Sequence, residues 1–238
     1  MRVGIIAAMS GELKPLVCGW QRKPTTVKHL HLWTQTIGPD ELIAVCGGMG
    51  AQAALRSFAA IEASGPLDLV LSVGWAGALE KGKQAGECYV VSEIIDSQTG
   101  ECFSLTIGDR KLRLVTTPRV ADEAEKRRLW QTYGAVLVDM EAAAIARLAQ
   151  IRSLPMYCFK AVSDGVEANL PSINSFISND GQLRLLPFLA HVALRPRYWG
   201  SLLQLGRTSA TAAKALATTI TNFLQTKDVE ATNRTGAA

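Results

Sequence analysis

Short continuous apolar runs alternate along the chain with segments whose apolar residues recur at helical spacing. Val3–Ala8, Leu42–Cys46, Leu67–Val73 and Cys88–Ile95 are runs of the first kind, as are "AVLVDM" (135–140) and "MYCFKAVSD" (156–164). Runs so short, rich in Val, Ile and Leu, predict strands. They are apolar at successive rather than alternate positions, so the sheet they form should be covered on both faces. Between them, the stretch from about Ala51 to Ala63 and the run "VDMEAAAIARLA" (138–149) contain predicted helices. The second is nearly apolar all round and rich in alanine, the best helix former, so it belongs inside the fold. Residues 1–225 therefore read as one α/β domain, a largely parallel or mixed central sheet with helices on both faces. Residues 226–238 are small and polar and predict a loose tail.

The interior helix opens with two carboxylates, Asp139 and Glu141. A helix N-terminus favours acidic side chains through its dipole, which would make both structural. A buried carboxylate must otherwise be partnered or change its protonation. In sheets of this kind ligands bind beyond the carboxyl ends of the strands. Glu12, the "GGMG" turn at 47–50, the "GWAG" bend at 74–77, Asp139, Glu141 and Asp164 all fall at such ends. Glycine turns let backbone amides approach a polar ligand closely, although most are only turns. Ser163-Asp164-Gly165 can equally cap a turn, and Glu12 can pair at the surface.

Composition narrows the classes. Hydrophobic residues make up 48% and charged residues 19%, which is globular rather than disordered. A net charge of +4, from 25 basic and 21 acidic residues without a dense basic block, argues against a nucleic-acid groove. Five scattered cysteines without a CxxC pair, and three histidines, predict free thiols in a reducing cytosol and no metal site. The apolar stretch from Val3 to Met9 is broken by Gly4 and soon followed by Glu12, so it reads as a first strand rather than a leader. No segment approaches the roughly 20 apolar residues of a spanning helix, and a cytoplasmic protein is expected.

Five segments, "GIIAAMSGEL" (4–13), "CGGMGAQAA" (46–54), "SVGWAGAL" (72–79), "VDMEAAAIA" (138–146) and "FKAVSDG" (159–165), resemble in order the motifs of the nucleoside phosphorylase superfamily. Within it they look most like the methylthioadenosine/S-adenosylhomocysteine nucleosidases. That resemblance implies a three-layer sandwich, a small-molecule nucleoside substrate, no cofactor and a homodimer or larger homo-oligomer. It also implies roles. Asp164 matches the acid that protonates N7 of the leaving purine, and to do so it should keep or share a proton through desolvation. Glu141 matches the carboxylate that holds the ribose hydroxyls, with Met140 against the sugar, and Glu12 the base that activates water. Gly48, Gly74, Trp75, Ala76 and Ser163 fall in the matching substrate-binding segments. Asp139 is left a structural role at the helix start.

Several positions depart from the pattern. Trp75 replaces a serine of the second turn, Ser72 stands where some phosphorylases carry an arginine, and Lys160 replaces an arginine of the nucleosidases. Lys160, four residues before Asp164 on the same strand face, is then the nearest anion ligand, and one lysine makes a poor phosphate site. Water is the expected nucleophile. A phosphate-dependent purine nucleoside phosphorylase, a futalosine hydrolase and a nucleoside-binding sensor remain the alternatives. The stretch from Asn169 to Arg207 most resembles the hopanoid-associated nucleosidases, which act on an adenosine carrying a large 5′ lipid. Its "RPRYWGSLLQLGR" (195–207) places Trp, Tyr and Leu beside Arg195, Arg197 and Arg207. That composition suits weak association with a membrane surface, or else packing on the core or on a second copy.

Overall fold

The computed structural model describes residues 1–105, 112–168, 173–178, 180–193 and 195–235. In chain order the elements begin β1 (Arg2–Ala7), α1 (Ser10–Leu13), β2 (Gln21–Lys23), β3 (His31–Ile37), β4 (Asp40–Cys46) and α2 (Ala51–Glu62). There follow β5 (Leu69–Ala78), β6 (Cys88–Val91), β7 (Glu93–Asp96), β8 (Cys102–Ser104), β9 (Arg113–Thr116), α3 (Glu123–Tyr133) and β10 (Leu137–Asp139). The chain closes with α4 (Ala142–Ile151), β11 (Met156–Asp164), α5 (Leu185–Ala193) and α6 (Trp199–Thr235).

All described strands join one mixed sheet, whose main path runs β2-β3-β4-β1-β5-β10-β9-β7-β8, with β11 on β5 and β6 on β11. The central pairings β4–β1, β1–β5 and β5–β11 are parallel. The long β5 is the hub: β1 runs along Leu69–Ser72, β10 pairs antiparallel at Gly77 and Ala78, and β11 follows it from Val70 to Gly77.

The continuous apolar runs bury both faces, as their composition predicts. In β11, Met156, Cys158 and Val162 join the core beneath α2 and α4, with Phe58, Ile61 and the alanines of α4. Tyr157, Phe159 and Ala161 face the opposite core, with Leu13 of α1 and Ala212, Leu216 and Ile220 of α6. The α/β sandwich expected from the pattern is therefore the observed fold.

Four local expectations change. The apolar run at 67–73 does not bend at the following glycines, because Gly74 takes φ +151 and β5 continues to Ala78 while β11 pairs along it. The run at 88–95 is two strands separated by Ser92: β6 pairs with β11, whereas β7 pairs with β8 and β9. β3 has no counterpart among the predicted strands, because "HLWTQTI" is a half-exposed strand of mixed polarity. Finally, α6 extends to Thr235, into the segment expected from 226 onward to be a loose tail, and residues 236–238 lie outside the described residues. Prolonging an existing helix adds a hydrogen bond per residue at small entropic cost, so polar composition alone does not stop it.

Candidate active site

A cavity of about 270 Å³ opens at the carboxyl ends of the central strands. Its polar part is lined by Glu12, Lys126, Asp139, Glu141, Ser163 and Asp164. Its apolar walls include Met9, Met49, Trp75 and Met140.

Glu12 lies in α1, the short helix that follows β1, and reaches back so that Oε2 accepts from the Met9 amide at 2.7 Å. Its Oε1 accepts from the Trp75 amide on β5 at 2.8 Å. Burial pushes this carboxyl above the ordinary glutamate range, and the Trp75 and Met9 amides oppose the rise. A carboxylate with raised proton affinity is better suited to accept a proton during reaction. Gly74 does not line the cavity but makes Glu12 possible, since a Cβ there would lie 2.7 Å from Glu12 Oε1. The Trp75 indole packs over Gly11, and its ring also walls the cavity.

Glu141 immediately precedes α4. Its Oε1 accepts from the Gly50 amide at 2.6 Å, so the first glycine turn reaches the site through Gly50. Gly48 is instead packed against the loop at 181–182: a Cβ there would lie 2.5 Å from Gln182 Nε2 and 2.8 Å from the Gly181 oxygen. Burial, then the charge of Asp139, push Glu141 up to about 8, against Lys160 and the Gly50 amide. Asp139 is saturated by the fold. Its Oδ1 accepts from Thr116 Oγ1 at 2.7 Å, and its Oδ2 from the Ala142 amide at 2.9 Å and Lys160 Nζ at 2.8 Å.

Lys160 corrects one expectation. It is 1% exposed, lies away from the cavity lining and is committed to Asp139. Burial is the largest influence and works against its charge, but Asp139, Cys158 and Glu141 together outweigh it and raise its proton affinity. A bulge in β11 between Val162 and Asp164 also breaks the alternation that would have put Lys160 and Asp164 on one face. Ser72 is fully buried within the sheet.

Asp164 ends β11. Its Oδ1 accepts from Ser163 Oγ at 2.6 Å, and Ser163 Oγ lies 3.3 Å from the Ala76 oxygen. Its Oδ2 is ion-paired with Lys126 Nζ, which also donates to the Gly165 oxygen at 2.8 Å. Beside the desolvation expected to let Asp164 keep or share a proton, the structure places a buried ammonium partner.

Lys126 was not among the residues singled out from the sequence. α3 is started by Asp122, whose Oδ1 accepts from the Glu125 amide at 2.9 Å, and is ended by Gly134 at φ +58. Within it Lys126 and Leu129 share the buried face, one helical turn apart. A lysine on the apolar stripe of an amphipathic helix was the available signal. Arg119, exposed at the cavity wall, was also missed. Among the described residues no cluster of three or more histidine, cysteine, aspartate or glutamate side chains is placed to hold a metal ion.

Comparison with known proteins points the same way as the motifs. A family model for the Phosphorylase superfamily matches residues 2–122 and 114–182. The chain is 27% identical over 217 residues to a 5′-methylthioadenosine nucleosidase of Arabidopsis thaliana, covering 74% of this chain and 79% of that one. The fold is similar to that of Helicobacter pylori 5′-methylthioadenosine/S-adenosylhomocysteine nucleosidase, with TM-score 0.71 at 15% identity over 94% of this chain and 98% of that one. It is equally similar to Helicobacter pylori futalosine hydrolase, with TM-score 0.72 at 13% identity over 94% and 97% of the two chains.

Proposed function

The chain belongs to the Phosphorylase superfamily, and from that premise we propose that it is an N-ribosyl hydrolase that releases adenine from 5′-substituted adenosines of the methylthioadenosine and S-adenosylhomocysteine type. The observation that carries this reading is the meeting of Glu12, Glu141 and Asp164, from three distant segments, on one cavity. Cleavage of a purine N-glycosidic bond makes three demands: a proton for the leaving base, a support for the oxocarbenium-like sugar and a base for the attacking water.

Asp164 supplies the proton to N7, with Ser163 fixing its other oxygen. Glu141 holds the ribose hydroxyls, with Met140 beside it on the cavity wall. As positive charge grows on the sugar, Glu141 is favoured in its ionised form, which makes its support stronger in the transition state than in the empty site. Glu12 keeps two backbone donors and still has lone pairs to orient water and accept its proton.

Water is favoured over phosphate because a dianion needs converging cationic or amide donors. Lys160 is spent on Asp139 and Lys126 on Asp164, which leaves Arg119 among the cations of the wall. The test is release of adenine from methylthioadenosine by dialysed protein, with and without phosphate. A requirement for phosphate would replace this reading with a phosphorylase, and saturable binding without product would replace it with a sensor.

The 5′ side extends the reading. Val120, Ile173, Leu183, Phe188, Leu202 and Leu205 line the same cavity, so a 5′ substituent meets apolar surface. Leu186, Trp199 and Leu203 are further apolar side chains, exposed on α5 and α6. A long apolar 5′ group, as in adenosylhopane, fits this wall, each buried methylene adding about 0.8 kcal/mol. Weak association with anionic membrane surfaces would follow from Arg195 and Arg207; the side chain of Arg197 lies outside the described residues. Packing of a second copy on α5 and α6 is the competing use of that surface. Arg119 supports a different choice, a carboxylate-bearing 5′ tail as in S-adenosylhomocysteine or futalosine. Turnover of these substrates and an alkyl-extended adenosine, each with and without vesicles, separates the readings.

A further inference from the structure

Lys126 is a cation for which the proposed chemistry has no assigned task. Its side chain is 3% exposed, yet it borders the cavity. The fold makes room for it: a Cβ on Gly77 of β5 would lie 3.2 Å from Lys126 Cε and 3.3 Å from Asp164 Oδ2. Its ammonium meets Asp164 Oδ2 and the Gly165 oxygen, while Ser163 occupies Oδ1. Burying such a pair is costly, and an apolar pair of the same volume would serve stability as well or better. An ion-paired carboxylate also has no proton of its own to give.

We infer that Lys126 stores the proton that Asp164 delivers to the leaving purine. This rests on the nucleosidase reading and concerns only the source of the proton. As the C1′–N9 bond breaks, its electron pair passes into the purine. A proton moves from Lys126 Nζ to Asp164 Oδ2, and the Asp164 carboxyl passes a proton to N7. Water oxygen bonds to C1′ and gives its proton to Glu12. The products are the neutral purine and the free sugar, with Lys126 neutral and Glu12 protonated. Exchange with solvent after release returns a proton to Lys126 and removes one from Glu12, so the cycle closes without any other reactant. Lys126 acts through Asp164 and is a positioning residue in this scheme.

The test compares wild type, Lys126→Met and Lys126→Arg on two substrates, methylthioadenosine and the 4-nitrophenyl glycoside of 5-methylthioribose. Nitrophenolate leaves without protonation, so only the first substrate needs the stored proton. Lys126→Met should lose about 10²–10⁴-fold in kcat on methylthioadenosine, with KM changed by no more than about threefold, and should keep the nitrophenyl activity within about threefold. Lys126→Arg preserves the charge and the ion pair but carries a guanidinium that does not release its proton, so it should be slow on methylthioadenosine in the same way. Equal losses on both substrates in both variants would make Lys126 merely structural and overturn the inference. Wild-type turnover of methylthioadenosine by either variant would also overturn it. Failure of the wild type to cleave either substrate would refute the nucleosidase reading itself, and the role of Lys126 with it.

Discussion

Glu141→Gln exchanges a carboxyl pushed up to about 8 for an amide that does not titrate. In the unfolded chain the same carboxyl ionises near 4.5. Below that value both states hold the proton, and the raised affinity stabilises the fold fully. As pH rises from 4.5 to about 8 the unfolded chain releases a proton that the folded protein retains, so stability falls across this window and the contribution is gone above it. Each tenfold in proton affinity is about 1.4 kcal/mol, so the whole rise would be worth about 5 kcal/mol if Glu141 carried it alone. The Asp139 charge shares in this rise, and water entering the cavity screens it, which reduces the figure to about 1–3 kcal/mol. The glutamine keeps an oxygen for the Gly50 amide and removes the penalty at high pH. Melted without ligand, the variant should therefore gain about 2–10 °C over wild type at pH 9 and little at pH 5. It should also lose about 10–100-fold in kcat/KM on ribosides, and less on 2′-deoxy substrates, because the lost bonds are charge-assisted bonds to hydroxyls. Parallel melting curves at both pH values, or equal losses on both sugars, would refute the reasoning.

Gly74→Ala should cost at least about 10²-fold in kcat, because its Cβ would drive the Glu12 carboxylate from its place and the φ of +151 suits glycine; a crystal structure with Glu12 unmoved, or undiminished activity, would contradict this. Asp164→Asn should lose about 10²–10⁴-fold in turnover with substrate affinity kept within about tenfold, as measured by single-turnover kinetics and calorimetry. The acid limb of kcat/KM should have its midpoint above the ordinary glutamate range, since burial raises Glu12 and the base must be ionised to act; a midpoint at or below that range would remove Glu12 from the role.

The central strands were legible because burial on both faces leaves a plain mark: β1 and β5 are apolar at nearly every position, and β11 is apolar from Met156 to Val162 except at Lys160. β3 was not, since a half-exposed strand with Thr34, Gln35 and Thr36 in succession carries no such mark. Glu141 could be suspected from the cost of placing a carboxylate in an alanine-rich interior helix, but its partner in the first glycine turn could not. Periodicity does not reveal contacts between residues 91 apart in the chain. Glu12 and Asp164 owed their assignment to the order of motifs. Lys160 was misjudged because its commitment to Asp139 is a matter of tertiary pairing, and the bulge near Asp164 removed the face they were expected to share. Lys126 escaped notice because a lysine among Glu and Arg in α3 looks like one more solvated charge until its register with Leu129 is examined.

The central claim is hydrolysis of an adenine nucleoside by water. Dialysed protein incubated with methylthioadenosine in ¹⁸O-water, without phosphate, and analysed by mass spectrometry, tests it most directly. Adenine and methylthioribose should appear in equal amounts, with ¹⁸O incorporated in the sugar promptly enough to exceed solvent exchange. No adenine, or adenine formed only with phosphate and accompanied by a sugar 1-phosphate, would contradict the account.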